Sequence, residues 1–180
     1  MLKQLLLGSW LLSAALITGS ANAGNYWGLG LGNAAYDLKV LGVVPLKDGT
    51  AVKFLWGNRN ENIGMEAEFS FSSHDWEGAG GLATHNVGNL VFSGIGYFPV
   101  GSGFDVYGKA GLNLWSTTVD LVGTNYDGDS GVGLALGAGL DFATTDRFHL
   151  RLEYQMFNGI GDTIDEGDIT QVTLSGTYYY

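Results

Sequence analysis

The sequence predicts an all-β fold: an eight-stranded antiparallel up-and-down transmembrane β-barrel, with short periplasmic turns and four long extracellular loops. Three observations carry that prediction. Apolar and polar residues alternate with a period of two through most of eight segments, as they do in strands with one dry and one wet face. The connections between those segments alternate short and long. The N-terminus reads as an export signal, and no later run approaches the roughly 18 apolar residues of a membrane-spanning helix.

The elements follow in order along the chain. Lys3 lies in a short positive start, residues 5–17 are apolar apart from Gly8, Ser9 and Ser13, and Ala21-Asn22-Ala23 supplies a small-x-small cleavage pattern. The run is short of the roughly 20 residues a spanning helix needs. Residues 1–23 are therefore expected to be a cleaved signal peptide, and residues 24–180 a single barrel domain in the outer membrane. The expected strands are 26–36, 51–58, 63–72, 88–98, 104–117, 131–142, 148–157 and 169–180. Most are near the roughly 9–11 residues of a tilted transmembrane strand.

Several of these show the alternation plainly. Val52, Phe54 and Trp56 oppose Lys53 and Leu55; Ile63, Met65, Ala67, Phe69 and Phe71 oppose Gly64, Glu66, Glu68 and Ser70. Leu112 and Leu114 oppose Lys109 and Asn113, and Leu150, Leu152 and Tyr154 oppose Arg151, Glu153 and Gln155. The fourth segment has no clean alternation, and its faces stay unassigned. In the last one, Val172, Leu174, Gly176, Tyr178 and Tyr180 oppose Gln171, Thr173, Ser175, Thr177 and Tyr179. A barrel needs such a strand to close the sheet.

The expected turns at 59–62, 99–103 and 143–147 are short, whereas the connections at 37–50, 73–87, 118–130 and 158–168 are long. This is the asymmetry of an outer-membrane barrel, with the short turns periplasmic. The topology puts Trp27, Trp56, Phe98, Phe104, Phe142, Phe148, Tyr178 and Tyr180 at the periplasmic rim, and Tyr36, Phe71, Trp115 and Phe157 toward the outer rim. Two aromatic bands are what a membrane girdle requires. A soluble β-sandwich would explain scattered aromatics but not the alternating connection lengths.

The expected inward face collects Lys53, Glu66, Glu68, Asp105, Lys109, Asp141, Arg151 and Glu153, with Arg59 at a turn. On the lipid face each Lys or Arg at mid-depth would cost about 2–4 kcal/mol. An eight-stranded barrel is just wide enough for side chains to fill, so these residues are read as a salt-bridged polar core that plugs the lumen. Glu66 and Glu68 share a strand face at a spacing compatible with acid/base work, and a narrow ion path is the other alternative; the cations on neighbouring strands favour pairing. On that reading, Glu68→Ala leaves a buried cation uncompensated, at a cost of roughly 3–5 kcal/mol.

Other chemistry is weakly signalled. The absence of cysteine removes disulfides and thiolate metal sites, and a net charge of −10 argues against a nucleic-acid partner. Gly28-x-Gly30-x-Gly32 has no helix after it, so it is no dinucleotide fingerprint. Asp127-Gly-Asp129 would need a bidentate Glu where Ala138 stands, which excludes an EF-hand. His74 and His85 share an expected loop with Asp75, where solvent exposure is the ordinary reading. No catalytic, cofactor or metal residue is assigned.

Taken together, the signal peptide, Tyr26-Trp-Gly-Leu-Gly-Leu-Gly32, Val106-Tyr-Gly-Lys-Ala-Gly-Leu112, Leu150-Arg-Leu-Glu-Tyr154 and the terminal strand resemble the OmpA-like family of small outer-membrane β-barrels. The resemblance is to the transmembrane barrel alone, without the peptidoglycan-binding domain. It implies contact with outer-membrane lipid and lipopolysaccharide, recognition of the C-terminal strand by the barrel-assembly machinery, and a non-enzymatic role in envelope integrity, adhesion or binding of an extracellular ligand or host surface. One departure is that the family's assembly signal has Gly five residues before the final aromatic, where this chain has Ser175 and then Gly176. The rival readings are a very narrow pore and a lipid-modifying barrel enzyme similar to lipid A deacylases. Against the latter, His149 is followed by Leu150 and Arg151 rather than by the His-x-Ser arrangement of those enzymes.

Overall fold

An extended chain in lipid must satisfy its backbone N–H and C=O groups within the sheet, and only a sheet closed on itself leaves no edge. The computed structural model describes residues 24–38, 49–78, 81–121, 124–160 and 167–180, with the backbone alone at 37–38, 75–78, 81–83, 119, 121 and 124–127. The expected signal peptide lies outside the described residues. Eight strands follow in order: β1 (Gly24–Leu38), β2 (Gly49–Asn60), β3 (Ile63–Gly78), β4 (Gly81–Gly101), β5 (Phe104–Leu121), β6 (Thr124–Ala143), β7 (Phe148–Ile160) and β8 (Gly167–Tyr179). Each pairs antiparallel with its neighbours, and β1 with β8 closes the barrel, from Tyr26 opposite Tyr179 to Leu38 opposite Gly167.

The outer ends differ from the sequence expectation. β3 and β4 remain paired up to Gly78 opposite Gly81, and β5 and β6 up to Leu121 opposite Thr124. Two of the four expected long loops are thus mostly hairpin, and His74, Asp75 and His85 are strand residues. The reason is that a hairpin is held by its own backbone ladder, so beyond the membrane it needs no apolar alternation to persist. The connections at 39–48 and 161–166 lie outside the described residues.

The two faces of the sheet are inverted relative to a water-soluble protein. Leu29, Leu31, Phe54, Phe69, Leu134, Leu152 and Leu174 are exposed, whereas Lys53, Lys109, Arg151, Glu66, Glu68, Glu153 and Asp141 are buried. β4 shows why its pattern was unreadable: Val91, Ile95 and Tyr97 point inward beside Asn89 and Ser93, while Phe92 and Phe98 point outward, so both faces are partly apolar. The aromatics at the short-turn end (Trp27, Trp56, Phe98, Phe104, Phe142, Phe148, Tyr178, Tyr180) lie on the outer face, with the Trp27 and Tyr178 rings 6.3 Å apart. Trp56 Nε1 donates to Tyr180 Oη at 3.1 Å. Gly176 also faces outward, and a Cβ there would meet the Phe148 ring at 3.0 Å.

The outer aromatic band is corrected by the structure. Phe71 does face outward, but Tyr36, Trp115 and Phe157 are 6%, 6% and 0% exposed and point into the lumen. Parity explains it: Trp115 shares the face of Lys109 and Asn113, Phe157 that of Arg151 and Glu153, and Tyr36 that of Tyr26. With Val87, Val91, Ile160 and Ile169 they build an apolar plug in the outer half of the barrel.

The inversion has a direct mechanical test. Leu174→Arg, on the lipid face of the closing strand, should destabilise the barrel by about 2–4 kcal/mol if the residue sits near mid-depth. Reversible denaturant unfolding in phospholipid vesicles measures this, and an unchanged midpoint would contradict a lipid-facing Leu174.

Candidate functional site

Beneath the apolar plug, toward the short-turn end, the lumen is filled by an ionic lattice that crosses from wall to wall. Its cations come from three strands: Lys53 on β2, Lys109 on β5 and Arg151 on β7. Its carboxylates are Glu66 and Glu68 on β3, Asp141 on β6 and Glu153 on β7. Lys53 Nζ reaches Glu153 Oε1 at 2.6 Å and Glu68 Oε2 at 3.4 Å, and donates to Gln155 Oε1 at 3.0 Å. Lys109 Nζ sits between three carboxylates, at 2.6 Å from Glu68, 2.9 Å from Glu153 and 3.1 Å from Glu66. Arg151 spans Glu66 at 2.6 Å and Asp141 at 3.0 Å, and its Nη2 donates to Tyr97 Oη at 3.1 Å.

Tyrosines complete the lattice. Tyr26 donates to Glu66 Oε2 at 2.8 Å and Tyr107 to Glu153 Oε2 at 2.6 Å. The Arg151 guanidinium lies 5.1 Å from the Tyr26 ring centroid and 4.9 Å from that of Tyr107, within cation–π range. At the barrel mouth, Arg59 pairs with Asp105 at 2.7 Å and stacks 4.0 Å from the Tyr97 centroid. His149 Nδ1 is 2.6 Å from Asp141 Oδ1, and its ring is 4.5 Å from that of Tyr179. Every residue of the expected inward charge set therefore lies in the lumen, with Asp105 at its rim and the rest deeply buried.

Such bulk fits because of what stands opposite. Tyr26 pairs across strands with Gly57, and Tyr107 with Gly139. A Cβ on Gly57 would lie 2.7 Å from Tyr26 Cζ, and one on Gly139 2.6 Å from Tyr107 Cζ, closer than real contacts allow. Lys53 and Lys109 lie likewise over Gly30 and Gly137. Sequence reasoning put Gln155 on the inward face with Arg151 and Glu153 but missed Tyr26, Tyr97, Tyr107 and His149 as members of the lattice. For Tyr107 the signal was there, two residues before Lys109 on the same face; Tyr97 sat in the unassigned strand.

Chemically, the lattice sets three cations among four carboxylates, so that every carboxylate touches at least one cation. Glu66 and Glu68 are both engaged by buried cations, a structural geometry rather than that of a free acid–base pair. His74 and His85 face each other across β3 and β4 against the Tyr36 ring, with centroid distances of 6.1 and 5.4 Å. Among the described residues no group of three or more His, Cys, Asp or Glu is placed to hold a metal ion.

Comparison with known proteins agrees with this architecture. The family described as outer membrane protein beta-barrel domain matches residues 5–178. Outer membrane protein A of Escherichia coli O157:H7 is 36% identical over 70 residues, 38% of this chain and 19% of that protein, so the match spans about a fifth of the relative. Among solved structures, Neisserial surface protein A aligns with a TM-score of 0.76 at 17% identity, covering 88% of this chain and 99% of that one. Ail, the attachment invasion locus protein of Yersinia pestis, aligns at 0.58 with 18% identity over 87% of this chain and 99% of its own, and is also known in complex with the heparin analogue sucrose octasulfate. OprG of Pseudomonas aeruginosa aligns at 0.54 with 17% identity, over 88% and 96%. At these identities the structural likeness speaks to the fold.

Removing one side of a buried pair strands the other, typically at about 3–5 kcal/mol. Arg151→Met, which takes from Glu66 and Asp141 the cation they share, should lose stability of that order, whereas Glu68→Ala should cost less than the sequence suggests, because Lys109 keeps Glu153 and Glu66 and Lys53 keeps Glu153. Refolded barrels followed by denaturant unfolding report it; wild-type midpoints in both would mean that the lattice contributes no stability.

Proposed function

Since the chain belongs to the outer membrane protein beta-barrel domain family, we propose that it is a non-enzymatic surface protein whose lumen is plugged and whose outer hairpins and loops serve envelope integrity, adhesion or host interaction. The observation that carries the plugged reading is the wall-to-wall lattice: Lys53 bridges β2 to β7, while Lys109 and Arg151 tie β5 and β7 to β3. Above it the largely apolar plug of Tyr36, Trp115 and Phe157 offers an ion little to replace its hydration shell. On this reading residues 1–23 are removed on export, lipopolysaccharide surrounds the outer belt, and the assembly machinery engages β8. The narrow-pore and lipid A deacylase-like readings remain the alternatives to be excluded by experiment.

The distribution of charge bears on the partner. After residue 23 the cations are Lys39, Lys47, Lys53, Arg59, Lys109, Arg147 and Arg151. Lys53, Lys109 and Arg151 are buried in the lattice, and Arg59 and Arg147 stand at the short-turn end; Lys39 and Lys47 lie outside the described residues. Among the described residues, a sulfated polyanion of the kind bound by Ail therefore finds no cation to hold it at the outer end.

Three measurements test this. Planar bilayers carrying the refolded protein should show no steady ion conductance, and lipid A from cells with and without it should have the same acyl pattern by mass spectrometry. Sucrose octasulfate at physiological salt should not shift the thermal unfolding of the barrel. Sustained channel openings would overturn the plug, a changed acyl pattern the non-enzymatic reading, and stabilisation by the polyanion the charge argument.

A further inference from the structure

Among the described residues the cations are Lys53, Arg59, Lys109, Arg147 and Arg151. Every one but Arg147 is held by a carboxylate within 2.7 Å. Arg147 is exposed and makes no ion pair among the described residues, its neighbour Asp146 included. Nor does the remaining chain reach it with a carboxylate. Residues 39–48, 79–80, 122–123 and 161–166 join strand ends at the far rim, and no Asp or Glu precedes Asp37.

The turn fixes where this cation stands. The Thr145 hydroxyl accepts from the backbone N–H of Arg147 at 3.3 Å and of Phe148 at 3.0 Å. The Arg147 carbonyl accepts from Tyr179 N at 2.7 Å, which ties the turn to β8. The guanidinium then reaches sideways along the outer face, where Nη1 donates to Tyr178 Oη at 3.4 Å. A guanidinium has five N–H donors, and that long bond uses one.

Tyr178 gives the depth. It stands in a row of outward aromatics across four strands: Phe148 opposite Tyr178, Tyr178 opposite Trp27, and Trp27 opposite Trp56. Such a row marks the interface between headgroups and acyl chains. Arg147 lies one residue from Phe148 toward the turn, about 3.4 Å further out, on the headgroup side of the row. On the same face Tyr180 Oη accepts from Trp56 Nε1 at 3.1 Å. Each tyrosine hydroxyl takes a hydrogen bond from its neighbour, so each keeps its own O–H to donate.

We propose that Arg147 and the Tyr178 hydroxyl bind the phosphate of a phospholipid in the leaflet at the short-turn end, with its glycerol and upper acyl chain laid against Phe148 and Trp27. Charge complementarity chooses the occupant: the phosphodiester brings the anion that the chain withholds from Arg147, and the guanidinium fork matches two of its oxygens. A soluble polyanion meets one free cation here on a chain of net charge −10, whereas a lipid arrives already held at this depth by the bilayer. The proposal takes as given that the barrel sits in a membrane; it does not depend on what the lumen or the outer hairpins do.

Native mass spectrometry of the barrel refolded in maltoside detergent tests it, with three added lipids of matched acyl chains: phosphatidylglycerol, phosphatidylethanolamine, and diacylglycerol, which has no phosphate. Either phospholipid should be retained as one molecule per barrel, several-fold more than diacylglycerol. Arg147→Gln should bring retention down to the diacylglycerol level, and Tyr178→Phe should lower it in part. Both variants should melt as the wild type does in lipid-free detergent. Equal retention of all three lipids would mean that the aromatic row merely holds acyl chains, and undiminished retention by Arg147→Gln that the phosphate is bound elsewhere; either overturns the proposal. Displacement of the lipid by millimolar inorganic phosphate would reveal a free-anion site and overturn it too. Should Arg147→Gln fail to refold, the lipid comparison and Tyr178→Phe decide, unchanged retention in the latter overturning the proposal.

Discussion

The pairing of β1 with β8 is the constraint on which the rest depends. Once Tyr26 stands opposite Tyr179 and the ladder runs on to Leu38, no backbone edge remains within the bilayer. Closure then divides every strand into residues that see lipid and residues that see one another. Lipid accepts only apolar side chains at mid-depth, so each ionic residue of a strand has to turn inward. Eight strands leave too little room for those residues to keep a hydration shell. The consequence is the lattice around Lys53, Lys109 and Arg151, whose members have no alternative to one another.

Two materials fill the lumen, and they close it in different ways. Toward the short-turn end, the lattice resists entry because an arriving ion would have to displace buried charges already held at 2.6 to 3.4 Å. Toward the other end, Tyr36, Trp115, Phe157, Ile160 and Ile169 resist it because their packed surfaces are mostly apolar, with the Tyr36 hydroxyl turned to the Ile160 carbonyl. Buried ion pairs are not in themselves a large source of net stability, because desolvation offsets most of the attraction. Their sensitivity to removal of one partner is what makes them specific, and the tyrosine hydroxyls on Glu66 and Glu153 occupy acceptor sites that would otherwise be open.

Much of this was legible in the sequence because the membrane enforces a simple rule. Where a strand obeys strict alternation, as 63–71 and 150–155 do, the inward residues could be named one by one. Three features escaped. The faces of β4 were hidden because Val91, Ile95 and Tyr97 line an apolar part of the lumen, so hydrophobicity ceased to mark the outside. Tyr36, Trp115 and Phe157 were assigned to the outer girdle on their aromatic character, although their parity pointed inward. The tall hairpins were read as loops because Asp, Asn and Gly suppress strand signals, while the backbone ladder that sustains them leaves no mark in composition. Pairings across the lumen, such as Arg151 with Glu66, were beyond reach because they depend on the stagger of strands far apart in the chain.

The glycines opposite the large interior side chains carry an implication for how such a chain can change. Gly57 receives the Tyr26 ring and Gly139 the Tyr107 ring, and a Cβ at either would also meet a backbone carbonyl of the next strand, that of Met65 or that of Leu152. A methyl group acquired at either glycine collides with a ring and with that backbone, and a ring shortened to a small residue leaves a hole beside the ionic lattice. Shrinking the tyrosine does not by itself free the glycine, so the two positions drift unequally: the rings can trade size with their neighbours in the lumen, whereas the glycines are expected to stay glycine for as long as the strands keep their spacing.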